Sequence, residues 1–385
     1  MMMEEASSQT DKGLADARWI VISPTPPPVH GAAIATEMLL GSSLAKEIEF
    51  VHIDTKFNVE LKDLQAISVK KVMLLVRFGV QAVVSRFRGS VSGVILTPSF
   101  FWIPFLKDSI FIWICWFLRY PNTVSWFHMD FSTMQWQRRS WLSRLYVRVT
   151  LQRCRTYVCV APRLEDQLPD FLRKGRRVNV MNGVAGPEGI GSGEYREDGG
   201  CVELLYVSNM SLEKGWDILL RLACSLSAEL ENLNAKFYGA PTRDSTEGQI
   251  VSRFSEPDVP AGIEYGGYIE GERKAKAFLR ASIFCFPSKN EAFPLTILEA
   301  MSYGLPVVCF DVGAVRDAVI DGMGGFVVPK GDTDAFRSSV KLLSRDPRRR
   351  MEMGAFNRSR FESMFTKEKY VSRWRSLLWE LETRG

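Results

Sequence analysis

Residues 290–308 read "NEAFPLTILEAMSYGLPVV". Gly304, Leu305 and Pro306 followed by two valines predict a helix stop and then a buried strand. Proline suits a first helical turn, so a helix is expected to open near Pro294. Glu291 then stands just before that helix. Glu299 lies inside it, at helical spacing from Leu295, Leu298 and Ser302. A helix start carries free amides and the positive end of the helix dipole, and it accepts an anion. The free amides here are those of Leu295 and Thr296, because Pro294 has none. Two carboxylates thus bracket an anion-binding helix start. By position alone, Glu291 could be a cap, and Glu299 could turn to solvent or pair with a nearby base.

Working outward, the same β-then-helix rhythm fills the chain. In the second half, "VELLYVS" (202–208), "AKFYGA" (235–240), "IEYGGY" (263–268), "SIFCFPS" (282–288), "LPVVCF" (305–310) and "GGFVVP" (324–329) read as strands. In the first half, "WIVIS" (19–23), "FVHI" (50–53), "VSGVIL" (91–96), "TVSWFH" (123–128), "TYVCVA" (156–161) and "RVNVMNGV" (177–184) do so. Amphipathic segments separate most of them, the signature of parallel sheets wrapped by helices. The expected layout is a tail over 1–17, one Rossmann-like domain over 18–184, a Gly-rich linker over 185–200 and a second such domain over 201–365. A final helix over 366–385 places Tyr370, Trp374, Leu377, Leu378 and Leu381 on one side. It is expected to pack back on the first domain. In open α/β sheets, ligands sit at the carboxyl ends of strands, so two such domains facing each other make a cleft.

The 385 residues are 46% hydrophobic and 24% charged, an ordinary globular balance for two domains. Residues 1–185 hold 23 Lys and Arg against 15 Asp and Glu, and the rest 26 against 29. A basic first half suits an anionic surface or substrate. Its basic residues are not interleaved with a reading motif, which speaks against a nucleic-acid partner. Seven cysteines without a CxxC pair, and three histidines, argue against a disulfide scaffold or a metal site and for a reducing cytoplasm. The apolar stretch 100–121 is interrupted by Pro104 and by Lys107–Asp108, which should cut it into pieces too short to span a bilayer. The segment 136–155 mixes Trp, Leu and Arg as a basic amphipathic helix does. Together, 100–155 is a candidate for peripheral contact with an anionic membrane, at its inner face.

Chemistry concentrates in the second half. Strand "LLYVS" leads into "NMSLEKGWD", which sets Lys214 just before a helix, a place suited to a phosphate. Two helix starts in neighbouring strand–helix units are able to converge on one diphosphate. Glu299, one turn into its helix, would accept hydrogen bonds from vicinal ribose hydroxyls. "GDTDAF" (331–336) reads as a helix start capped by Asp332 or Thr333, not as a metal-binding DxD.

The stretch "FPSKNEAFPLTILEAMSYGLPVV" resembles the E-x7-E signature of retaining glycosyltransferases of the GT-B fold, the family 4 class. The resemblance extends to "PPPVHGAA" (26–33), "SWFHMD" (125–130), "VMNGV" (180–184), "SNMSLEKGWD" (208–217), "EYGGYIEGE" (264–272) and "DVGAVRDAVIDGMGGFVVP" (311–329). It implies a transferase that moves a sugar from a UDP- or GDP-linked donor to a glycan or lipid-linked acceptor. The anomeric configuration is retained, and no metal or other cofactor is required. Lys214 would bind the diphosphate, Glu299 the ribose, and Glu291 the sugar, with the backbones of Phe293 and Leu295 nearby. His128 would reach the sugar from the first domain, and Gly31 would let its loop approach the donor. Tyr268 and Ser288 would lie near the base. Three positions depart from the pattern: Asn209 replaces the usual Arg, "HGAA" replaces a Gly pair, and Asp317 stands where a Glu is common. The alternative is a sugar-nucleotide-binding protein of this fold with epimerase-like or non-catalytic work.

Overall fold

The computed structural model describes residues 17–27, 30–55, 69–129, 131, 139–187 and 200–383. The predicted tail (but for Ala17) and most of the predicted linker lie outside them. The chain divides into two compact units. One comprises Met1–Asn182 with Lys367–Gly385, and the other Gly183–Thr366.

The first unit holds six strands: β1 (Arg18–Ser23), β2 (Glu49–Asp54), β3 (Gly93–Leu96), β4 (Asn122–Phe127), β5 (Thr156–Cys159) and β6 (Arg176–Asn179). Its helices are α1 (Gly31–Leu40), α2 (Val69–Phe87), α3 (Trp102–Phe117), α4 (Trp141–Leu151) and α5 (Pro162–Asp166). The strands pair in parallel in the order β2-β1-β3-β4-β5-β6. Only β1 to β2 steps one way along the sheet, and every later step runs the other way. Right-handed crossovers therefore put α1 on one face and α2 to α5 on the other.

Pro104 does not break the apolar stretch, contrary to the sequence expectation. It falls in the first turn of α3, where a missing N–H costs nothing, and the helix runs unbroken for 16 residues. Lys107 and Asp108 sit within the helix as an ion pair at 3.0 Å. Of the predicted helix within 136–155, Trp141–Leu151 is helical and 136–138 lie outside the described residues.

The second unit repeats the plan with β7 (Val202–Val207), β8 (Leu233–Tyr238), β9 (Ile263–Tyr265), β10 (Ile283–Phe286), β11 (Val307–Phe310) and β12 (Gly325–Val328). Between and after them come α6 (Trp216–Ser227), α7 (Glu247–Phe254), α8 (Gly271–Arg280), α9 (Leu295–Ser302), α10 (Val315–Ala318), α11 (Thr333–Arg345) and α12 (Pro347–Met364). The sheet is again parallel, in the order β12-β11-β10-β7-β8-β9. Strand order reverses between β7 and β10. Strands β10 and β11 are buried along their whole length, as strands covered on both faces must be. Asp332 caps α11 by accepting from the Ala335 amide at 2.9 Å.

The last helix, α13 (Lys367–Thr383), belongs to the first unit. Tyr370, Trp374, Leu377, Leu378 and Leu381 are all buried on its inner side. The Tyr370 hydroxyl donates to the Ala35 carbonyl of α1 at 2.8 Å. Trp374 meets Trp126 edge-on at 4.9 Å, and Trp19 Nε1 donates to Glu382 at 2.7 Å. The helix thus covers the α1 face of the first sheet.

Candidate active site

In the second unit the loops after β7 and β10 leave adjacent strands where the strand order reverses. An open α/β sheet offers a crevice at the carboxyl ends of such strands. Lys214 comes from the first loop and Glu291 from the second. The Lys214 ammonium lies 2.5 Å from Glu291 Oε1 and 3.5 Å from the Asn290 carbonyl. The buried Ser288 hydroxyl is 3.4 Å from the same Glu291 oxygen and donates to the Asn290 carbonyl at 3.2 Å. Lys289 and Asn290 stitch the loops further. The Lys289 amide donates to the Glu213 carbonyl at 2.8 Å, and Asn290 Nδ2 donates to Glu213 Oε1 at 3.0 Å.

Two glycines make this approach feasible. Gly215 caps α6 with φ of 78°, and a Cβ there would meet the Pro287 carbonyl oxygen at 2.1 Å. Gly313, with φ of 52°, would drive a Cβ to 2.0 Å from the Glu291 carbonyl oxygen. Only glycine fits either place. Gly313 belongs to "DVG", so that segment braces the backbone of Glu291 itself.

Helix α9 opens beside Pro294, as expected. Pro294 is the N-cap, with ψ of 121° in the extended region, and it offers no side-chain hydrogen bond to the first turn. Leu295 and Thr296 are then the first two helical residues, and their amides open the helix. Phe293 and Leu295 are buried, and Phe293 packs against Phe365 at 5.9 Å between centroids. Glu299 does not turn to solvent. Its Oε1 accepts from the Lys274 ammonium of α8 at 2.6 Å, while Oε2 is enclosed with no hydrogen-bond partner. Sequence reasoning named that kind of pairing as the bland alternative but did not find Lys274.

Asn209 and Tyr268 also belong to the second unit. Asn209 is exposed, and its carbonyl accepts from the buried Tyr206 hydroxyl at 3.1 Å. Tyr268 is half-exposed, with its hydroxyl donating to Glu270 at 3.2 Å. Burial, helped by Glu270, raises its pKa.

In the first unit, Gly31 opens α1 right after His30, which caps the helix by accepting from the Ala33 amide at 3.3 Å. A Cβ at Gly31 would meet no atom within 4 Å, so the fold itself does not demand glycine there. His128 follows β4, packed on Trp126 at 4.2 Å, with Nε2 enclosed and without a hydrogen-bond partner. Burial, with the charge of nearby His30 adding to it, pulls its pKa down to about 3. His128 is therefore a neutral imidazole at any ordinary pH. Sequence reasoning missed His30 and Lys274. A cap at a Gly-rich loop was the available signal for His30; no local signal existed for Lys274. Among the described residues, no group of three or more His, Cys, Asp or Glu is arranged to hold a metal ion.

Residues 193–360 match the family model described as glycosyl transferases group 1. An uncharacterized glycosyltransferase of Haemophilus influenzae is 25% identical over 46% of this chain and 48% of its own length. A D-inositol 3-phosphate glycosyltransferase of Kribbella flavida is 29% identical over 41% of this chain and 38% of its own. These matches span less than half of each relative. Among solved structures, sucrose-phosphate synthase from Thermosynechococcus elongatus superposes with a TM-score of 0.72 at 18% identity, covering 96% of this chain and 100% of that one. HepE of Anabaena in complex with UDP gives 0.67 at 13% identity, covering 94% and 99%. The fold is GT-B, and the match to group 1 glycosyl transferases lies in the second unit.

Proposed function

We propose that this glycosyltransferase moves a sugar from a nucleotide-diphosphate sugar, UDP- or GDP-linked, to a glycan or lipid-linked glycan with retention of configuration. The observation that carries the reading is the meeting of Lys214, Ser288 and Glu291 at the strand reversal of the second sheet. Neighbours of the same fold bound to UDP support the donor class. The ammonium of Lys214 leaves Glu291 for the diphosphate, and the Leu295 and Thr296 amides of α9 add to it. Both stabilise the leaving group electrostatically, without metal. Phe293 holds the backbone of the loop in place against Phe365. Glu291, released, bonds sugar hydroxyls, and Glu299 takes the ribose through its unpartnered oxygen. Tyr268 and Ser288 border the base and the phosphate loop, and Asn209 donates where a guanidinium is usual. The resemblance assigns His128 and Gly31 of the first unit to the donor side. Departure gives the sugar oxocarbenium character, and the leaving phosphate takes the acceptor's proton on the same face. The acceptor is met at an anionic membrane surface through 100–155, in work such as surface polysaccharide or glycoconjugate synthesis.

A panel of UDP-, GDP-, ADP- and CMP-sugars tests the donor by thermal shift, since a bound donor raises the melting temperature. The expected result is a rise with one nucleotide class. Glu291→Gln should keep that rise and lose transfer on the order of 100-fold. A flat response to every nucleotide, or a Glu291→Gln enzyme as fast as the wild type, overturns the site. The anomeric proton coupling of the product, read by NMR, tests retention.

A further inference from the structure

Fifteen of the 22 large apolar side chains exposed among the described residues lie between Met73 and Tyr146. Exposure this concentrated marks a contact surface, whereas scattered apolar residues mark nothing. Most of these side chains fall on α2, α3 and α4, which share one face of the first sheet.

Helix α2 packs beside α3. Gly79 faces Ile114 of α3, and Ala82 is buried with its carbonyl accepting from the Tyr120 hydroxyl at 2.7 Å. Its outward row is Met73, Val76, Val80, Val84 and Phe87, a stripe at helical spacing. Helix α3 repeats the pattern with Ile103, Leu106 and Ile110, and α4 adds Trp141, Leu142 and Leu145.

Charge accompanies the apolar rows. Residues 69–155 contain 13 Lys and Arg against two Asp, a balance of +11 in a chain whose total is +5. One of the two, Asp108, is enclosed against Lys107 and accepts from the Ser99 amide at 2.9 Å. Arg139 lies over the Trp102 ring at 4.6 Å and Arg153 over Trp116 at 4.4 Å. Paired cations and indoles of this kind suit the headgroup level of a bilayer.

We propose that α2, α3 and α4 form one docking surface for an anionic lipid bilayer, lying in its interface without crossing it. No helix among the described residues is long and apolar enough to cross. A second copy of this chain is the poorer occupant, because it would set one strongly basic segment against another. The inference widens the membrane contact proposed above by placing α2, which lies outside 100–155, in the surface. Vesicle binding needs no nucleotide sugar, so it is independent of the transfer chemistry.

Co-sedimentation of the full chain tests this, using phosphatidylcholine vesicles with and without roughly 30 mol% phosphatidylglycerol. The wild type should bind the anionic vesicles at least about tenfold more strongly. The double variant Val76→Glu/Val80→Glu changes two side chains that are 61% and 54% exposed, so its melting temperature should stay put. Its binding should fall about tenfold. Arg144→Glu/Arg148→Glu on α4 should weaken binding as well. If only the α4 variant weakens it, α2 is not part of the surface and the narrower contact stands. Equal binding to both vesicles overturns the role of charge. A dimer seen by light scattering that Val76→Glu/Val80→Glu abolishes assigns the face to a second copy instead.

Discussion

At the scale of single residues, the site is two lysine–glutamate pairs. Lys214 binds Glu291, and Lys274 binds Glu299. Each pair holds a carboxylate that the proposed reaction needs for a sugar or ribose hydroxyl. The second pair leaves Glu299 Oε2 enclosed and unsatisfied, a state that costs free energy until a donor reaches it. Lys274 is then a positioning residue, fixing one carboxylate oxygen so that the other is aimed. Lys274→Met should weaken binding of the preferred nucleotide by about tenfold and shrink its advantage over the 2′-deoxy form. Lys274→Arg should restore both. Calorimetric titration with the two nucleotides measures this, and a Lys274→Met protein that discriminates as the wild type does would reduce the pair to scaffolding. Glu299 itself was legible, because a carboxylate at helical spacing among apolar residues is conspicuous. Its lysine was not. Residues 274 and 299 lie on different helices, and only the packing of α8 beside α9 brings them together.

Elements show the same division between what spacing encodes and what packing decides. The apolar side of α13 was readable from its period, and each of its five predicted inward residues is buried. Leu378→Ala should therefore cost about 2–5 kcal/mol, as deletion of a fully enclosed leucine does. Ser372→Ala, on the exposed side of the same helix, should change stability by less than about 0.5 kcal/mol. Urea unfolding followed by tryptophan fluorescence separates the two, and equal small effects would mean that α13 adds little to the first unit. All 12 strands of the two sheets coincide with runs that alternation and β-branched content marked out. Proline was the weak point. Pro104 reads as a breaker yet sits harmlessly in a first turn, whereas Pro294 marks its helix start to within a residue. A proline fixes its own φ but not its ψ, so sequence locates the helix start only to within a residue or two.

At the scale of the whole molecule, buried imidazole makes stability depend on pH. His128 has its pKa lowered to about 3 by burial, with His30 contributing, against an ordinary value of 6.5. Burial lowers His30 in the same direction. Between pH 6.5 and about 3 the unfolded chain binds a proton at position 128 that the folded chain refuses. Unfolding is then favoured as protons become available, so this contribution is complete above pH 6.5 and is lost as pH falls. The slope is at most ~1.4 kcal/mol per pH unit for one group, which makes about 2–3 kcal/mol between pH 6.5 and 4.5. Carboxylates titrate in the same range, but they are common to the wild type and to a His128→Gln variant. The difference in slope between the two proteins isolates the imidazole. Denaturant midpoints at pH 6.5, 5.5 and 4.5 should fall more steeply for the wild type than for His128→Gln. Parallel slopes would show that position 128 is open to water and protonates freely, and a neutral ring nitrogen would then be the wrong group to offer a sugar at mildly acid pH. The same titration therefore bears on the proposal: the burial that keeps His128 neutral also encloses its Nε2 without a hydrogen-bond partner.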